Sequence, residues 1–421
     1  MHYARFSSAC LGLALFAVGF GHTMEAHAAE QAPAKPFSIA AGPVLQCPTE
    51  TSMRITWITE RDADGFVEYG PMNGELRTTA TSRHGLIDAD QRLHSVLLED
   101  LRPGTEYRYR VCSREIVLFG AYKVQIGEAI TNAFGAFRTL DRRKSEFSFL
   151  VFNDIHDRAA NIPELLQSAG PEPWDFVVLN GDIVSHLDDE KPVLAILDQA
   201  AKSFASRVPM FWIRGNHETR GAFARQLPGY IGLPQERYYY AFDHGPVHFV
   251  VLDSGEDKID SHREYHGLVD FARYRRDQGR WLKAHVQTDA FRRAKYRVVI
   301  SHMPFPYKNA ADPSRYPEKS VFIGMADAYE QFGQTLEQAG IDLMLSGHMH
   351  FAEVIPAEPP RHSYPIVIGG GHQGEGRTLT RVKITGNALE AVLLRPDGSQ
   401  AALCKVPRRA VHLKAPRHAI P

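Results

Sequence analysis

Between about Phe37 and Leu140, apolar and polar residues alternate in short runs separated by turn residues. Met53-Arg54-Ile55-Thr56-Trp57 and Tyr107-Arg108-Tyr109-Arg110-Val111 each repeat with a period of two. That period predicts strands with one buried face, as in a sandwich. Leu101 to Tyr107 carries a Pro-Gly turn into a tyrosine that opens a strand, much like the tyrosine corner of sandwich domains. An all-β sandwich over residues 37–140 is the expectation.

From Phe147 the pattern changes. Continuous apolar runs stand at Phe149-Leu150-Val151-Phe152, Phe176-Val177-Val178-Leu179, Met210-Phe211-Trp212-Ile213, Val298-Val299-Ile300 and Leu343-Met344-Leu345. Helix-like stretches, among them Val193 to Phe204 and Ala326 to Ala339, lie between them. Runs without alternation predict strands covered on both faces, the mark of a layered α/β domain. Tyr238 to Phe242 with Val247 to Asp253, and Arg381 to Arg395 around Gly386-Asn387, predict two hairpins. This domain is placed at 145–395, and residues 396–421, with Pro and scattered basic residues, read as a loosely held tail.

Composition narrows the picture. Lys plus Arg (48) nearly balances Asp plus Glu (49), and no long basic block occurs. The chain therefore offers no general field for nucleic acid or an anionic membrane, and affinity for any charged ligand must arise locally. Arg5, the apolar run Ala9 to Phe20 and the small residues Ala26-His27-Ala28 predict an export signal over residues 1–28, followed by a linker at 29–36. The run is too short to cross a bilayer comfortably, a retained anchor being the alternative. A periplasmic or secreted protein without stable membrane insertion follows. Cys47, Cys112 and Cys404 remain after the signal, without C-x-x-C spacing, which argues against a structural zinc site. Cys47 and Cys112 are candidates for a disulfide.

Each of the five apolar runs ends in residues able to bind metal. They end in Asp154-Ile155-His156, Gly181-Asp182, Gly215-Asn216-His217-Glu218, His302 and Gly347-His348-Met349-His350. Ligands of open α/β sheets bind beyond the carboxyl ends of the strands, so these side chains are expected around one point. Asp and His without thiolate favour two divalent or mixed-valence transition-metal ions, Mn, Fe or Zn. A carboxylate can bridge such a pair, whose charge stabilises a phosphoryl transition state and activates water. Any one block is weak, since solvated Asp and His are common in loops. The five together are specific.

In order and type the blocks match the motifs of calcineurin-like metallophosphoesterases, and with the N-terminal segment, which resembles a fibronectin type III domain, the chain is similar to the purple acid phosphatase branch. The resemblance implies a four-layer αββα catalytic domain. It also implies that Asp154, His156 and His350 hold one metal, that Asn216, His302 and His348 hold the other, and that Asp182 bridges them. By the same resemblance His217 protonates the leaving oxygen, and the nucleophile is a metal-bridging hydroxide. The chain departs from the branch at two positions. His156 stands where that branch has Gly, and Ser185 where it has a ligand Tyr, so no purple charge-transfer band is expected.

Weaker candidates for substrate contact are His186, Tyr265, His266 and His372. His186 could instead support Asp182 from behind, and Ser254 to His266 reads as a charged loop at the rim. Gly369-Gly370-Gly371-His372 lacks the Lys-Ser/Thr of a P-loop. His84 and His94 read as surface residues. No Gly-x-Ser-x-Gly elbow supports a serine hydrolase. The expected activity is phosphate monoester hydrolysis, with a phosphodiesterase or nucleotidase and a non-catalytic binding protein as alternatives. Oligomeric state is not readable.

Overall fold

The computed structural model describes residues 35–171, 173–307 and 322–407. The expected export signal, all but the end of the linker and the last part of the expected tail lie outside the described residues. Strand β1 (Ile39–Gln46) pairs antiparallel with the long β2 (Met53–Pro71). Beyond two short pieces, β3 (Arg77–Thr79) and the hairpin β4 (Ser82–Arg83) with β5 (Leu86–Ile87), come β6 (Gln91–Leu98), β7 (Glu106–Gly120), β8 (Lys123–Thr131) and β9 (Gly135–Arg138). β2 changes partners midway, from β1 and β6 to β7 and β3, so one strand serves both halves of this β-rich domain. Trp57, Val67, Tyr107, Tyr109, Val111 and Phe137 form its core. The Tyr107 hydroxyl accepts from the Arg102 N–H at 2.9 Å, which closes the corner expected there.

β10 (Phe147–Phe152), β11 (Phe176–Asn180) and β12 (Met210–Ile213) then run parallel in one sheet. A second sheet holds β13 (Tyr240–His244), β14 (Val247–Val251), β15 (Tyr296–Ile300), β16 (Leu343–Ser346), β17 (Glu353–Ile355) and β18 (Ile366–Ile368). The chain returns to the first sheet through β19 (Leu379–Ile384), β20 (Ala388–Leu394) and β21 (Gln400–Pro407). Alternate residues of each buried strand serve different layers. Phe149, Val151, Phe176 and Phe211 meet Phe249, Val298 and Leu345 between the sheets. Leu150, Phe152, Leu179 and Trp212 pack outward with α1 (Asn161–Ser168) and α2 (Lys191–Ala200). On the far side, Val250, Val299 and Met344 meet α4 (Phe271–His285), α5 (Asp289–Arg293) and α6 (Ile323–Ala339), while the short α3 (Leu227–Ile231) packs with the first layer. Helix, sheet, sheet and helix are thus stacked in four layers. Each fully buried Phe in this stack contributes about 1.5–3 kcal/mol relative to exposure.

The two regions share a sheet, because Gln46 of β1 pairs in parallel with Met210 of β12. Three expectations are corrected. Residues 400–407 are not tail but strand β21, paired along β20 with Cys404 and Val406 buried; their short alternation was masked by the flanking Pro and basic residues. Cys47 and Cys112 form no disulfide, and with Cys404 they are free and buried. Cys47 Sγ faces the Gly232 carbonyl at 3.3 Å, whereas Cys112 accepts from the Thr131 hydroxyl.

The third concerns His94, which is buried, stacked on Trp57 with ring centroids 5.1 Å apart and 3.2 Å from the Thr59 hydroxyl. Burial lowers its pKa from 6.5 to about 4. Below pH 6.5 the unfolded chain takes up a proton that the folded chain refuses, so this contribution to stability is lost as pH falls from 6.5 towards 4. The full loss is about 3 kcal/mol. Denaturant unfolding at pH 7 and 4.5 should show the wild type losing about 2 kcal/mol more than His94→Gln. An equal loss in both would refute the assignment.

Candidate metal centre

The carboxyl ends of β10, β11, β12, β15 and β16 bring the five sequence blocks together. Gly181 (φ +80°) lies so close to His302 that a Cβ there would stand 2.5 Å from its ring, and a Cβ on Gly347 would stand 2.6 Å from Asp154 Oδ2. The glycines before Asp182 and His348 are thus a condition of the convergence. Asp154, His156, Asp182, His348 and His350 all have φ between +47° and +69°. Such backbone costs about 1–3 kcal/mol per residue away from glycine and concentrates at functional sites.

Asp154, His156, Asp182 and His350 offer ligand atoms within 4.8 Å of one another, as do Asp182, His302 and His348. Asp182 is common to both groups. Asn216 joins the second group through its side-chain oxygen, 3.0 Å from His348 Nδ1. Asp154 and Asp182 are buried, His302 is fully buried and His350 is exposed, so the cluster opens to solvent on one side.

The imidazoles are oriented from behind. His302 Nδ1 donates to the Asn180 carbonyl at 2.8 Å and turns Nε2 to Asp182 Oδ2, 3.1 Å away. The buried Nε2 of His348 has no hydrogen-bond partner, and that of His302 faces the Asp182 carboxylate. An unpartnered buried nitrogen beside carboxylates is costly unless a cation occupies the space between, so the donor set fits a metal. Burial opposes the proton on His302, but Asp182 and Asp154 outweigh it and push the pKa up to about 10. Burial, reinforced by His302, lowers that of His348 to about 3. For Asp182, burial is overcome by His302, and the carboxyl is held well below its ordinary range.

Behind these residues Glu218 is fully buried and accepts from the backbone N–H of Asp182 (2.9 Å), Ile183 (2.8 Å) and Gly215 (2.9 Å) and from the Trp212 indole (3.3 Å). His217 donates through Nδ1 to the Ser185 carbonyl at 2.6 Å. Its Nε2 accepts from Arg220 at 3.1 Å and lies 3.8 Å from Asp182 Oδ2. Burial lowers the His217 pKa; Asp182 opposes this and Arg220 adds to it. Arg220 is held by Glu256 at 2.7 Å and by Asp257 at 3.3 Å.

The weaker candidates separate. His372 lies against His156 and His350, with ring centroids at 4.8 and 5.0 Å. His186 is exposed and faces Asp188 at 3.5 Å, so it does not support Asp182. Tyr265 is buried with its hydroxyl on Glu256, and His266 is exposed beside it. The expected charged rim is corrected at its start: Ser254, Glu256 and Asp257 are buried, because Arg220 and Lys258 neutralise the carboxylates and Arg275 takes the Ser254 and Glu256 carbonyls. Arg220 and Glu256 escaped the sequence reading. A charged residue shortly after Gly-Asn-His-Glu was the only signal for the first, and the charge run hid the second.

Residues 147–352 match the family described as calcineurin-like phosphoesterase, and residues 43–123 the purple acid phosphatase N-terminal domain. The chain thus carries a calcineurin-like phosphoesterase domain behind a purple acid phosphatase N-terminal domain, which marks a hydrolase of phosphoric esters. Purple acid phosphatase 21 of Arabidopsis thaliana is 26% identical over 350 residues, covering 78% of this chain and 70% of that protein. Acid phosphatase type 7 of Homo sapiens is 24% identical over 320 residues, covering 72% and 67%. The structure of purple acid phosphatase PPD1 from yellow lupin (Lupinus luteus) seeds has a TM-score of 0.65 at 16% identity, over 87% of this chain and 74% of that one. That of PhoD reaches 0.58 at 12%, over 86% and 88%. Both structural likenesses concern the fold. Within its class the chain is purple acid phosphatase-like.

Proposed function

We propose that the protein hydrolyses phosphate monoesters with two transition-metal ions at this cluster. Asp154, His156, Asp182 and His350 would hold one, Asp182, Asn216, His302 and His348 the other. Bound there, the cations would draw charge from phosphoryl oxygens and lower the pKa of water towards neutrality. The chain supplies the rest. Asp182 accepts the His217 backbone N–H at 2.9 Å through Oδ1, leaving Oδ2 directed into the cluster. His217, fixed by Ser185, turns Nε2 to the same space, where it would protonate the leaving oxygen. The observation that carries the reading is the buried, unpartnered His348 Nε2 beside a His302 Nε2 that faces the one carboxylate, Asp182, common to both groups. The preference for monoesters rests on the purple acid phosphatase-like N-terminal domain, an argument by analogy.

Elemental analysis should find close to two transition-metal ions per chain. Chelation should abolish turnover and lower stability, by about 2.7 kcal/mol for each ion present at 100 times its Kd. A chromogenic monoester should be cleaved faster than its diester counterpart, and the reverse would favour a phosphodiesterase. A metal-free, inactive preparation that no cation restores would sink the proposal. Export through residues 1–28 belongs to the same reading. Among the described residues no helix is long and apolar enough to cross a membrane.

A further inference from the structure

β18 lies beside β16 in the second sheet and runs parallel to it, with Ser346 opposite Ile368. Its carboxyl end therefore opens at the cluster, as a sixth strand end next to the one that carries His348 and His350. Four residues on stands His372. Its carbonyl accepts from Arg158 Nη1 at 2.7 Å and from Asn161 Nδ2 at 3.2 Å, which tie the loop to the segment following Asp154 and His156. Its ring meets those of His156 and His350 edge on, with interplanar angles of 64° and 86°. A ring nitrogen of each of the three lies within 4.8 Å of one from the other two. His372 Nδ1 is buried and has no hydrogen-bond partner.

We propose that His372 is an additional metal ligand, which adds a third imidazole to those of His156 and His350 at the first cation position. The inference rests on the metal reading above and deepens it. A substrate-binding role would leave His372 free of the cation. The close approach of three imidazoles, two of them already assigned to that position with their Nε2 atoms 3.1 Å apart, points to a shared cation instead, because one cation can take a lone pair from each ring at once whereas His372 Nδ1 has no donor. Three nitrogen donors with carboxylate oxygens suit Fe, Co, Ni or Zn rather than Mg or Ca. Loss of the third imidazole should leave both positions in existence and weaken one.

The test uses the full chain, wild type and His372→Ala, loaded with Co(II) and titrated against a chromogenic chelator, with the visible spectrum followed. The expected result is two Co(II) per chain in both proteins. One site in the variant should be weakened at least about 10- to 100-fold and its spectrum changed, as loss of a metal-site partner produces. His372→Asn serves if the alanine variant does not fold. Equal affinity and an unchanged spectrum would overturn the proposal, most plainly if inorganic phosphate then inhibited the variant less, which would make His372 a substrate contact. Wild-type protein that binds no Co(II) would bring down the metal reading itself, and His372 with it.

Discussion

Replacing His217 with alanine is expected to lower kcat about 10²- to 10⁴-fold, the usual contribution of a positioned proton donor. Metal content should not change. His217 belongs to none of the three groups of converging ligand atoms, and its ring Nε2 stands 3.8 Å from the Asp182 carboxylate. Its orientation is set by two contacts of opposite sense. Nδ1 gives its proton to Ser185, and Arg220, which can only donate, approaches Nε2. The imidazole is therefore neutral in the structure, with its Nε2 lone pair taken by Arg220. To serve as an acid it must take a proton at Nε2 and exchange Arg220 for the leaving oxygen of the ester. Arg220 need not move far, since Glu256 and Asp257 hold its other nitrogens.

A proton donor matters most when the leaving group is poor. The loss in His217→Ala should therefore be larger for an alkyl phosphate than for the ester of an acidic phenol, and comparison of the two kcat ratios separates acid catalysis from a general disturbance of the site. Equal ratios would remove His217 from the acid role. Loss of metal alongside activity would instead mark it as a ligand.

The strands of the catalytic domain were legible because their residues are buried on both faces, which leaves uninterrupted apolar runs such as Phe149 to Phe152. The residues after each run were legible because a loop that ends in Asp or His after a buried strand has few purely structural reasons to do so. That the five ends belong to two sheets was not legible. Nothing local in Val298 to Ile300 distinguishes a partner of β14 from a partner of β11. Charged residues were read worst. Glu256 and Asp257 stand in a charge run that suggests solvent, yet Arg220, thirty-six residues earlier, draws them into the interior. His94 failed for the same reason, since Trp57 and Thr59 surround it from a neighbouring strand. A partner distant in the chain decides whether a polar group is buried, and a local pattern does not carry it.

Glu218 was visible as part of Gly-Asn-His-Glu, yet the sequence offered no task for it, and the structure gives it the largest expected effect on stability. Its carboxylate gathers three backbone N–H groups and an indole N–H from the β11 and β12 ends, the loops that carry Asp182 and Asn216. Glu218→Ala leaves four buried donors without an acceptor, each worth about 1–3 kcal/mol unsatisfied. The sum overstates the loss. Burial and then Asp182 push the Glu218 carboxyl up to about 7, so the wild type already tolerates an unfavourable charge there. A net loss of about 3–5 kcal/mol is expected, as for a buried charge network broken from one side. Glu218→Gln should recover only part of it, because its amide places two donors among donors. Denaturant unfolding of the metal-free proteins measures the effect without metal affinity entering. A loss below about 1 kcal/mol in the alanine variant would mean that water replaces the carboxylate, and that the two loops hold their places without it.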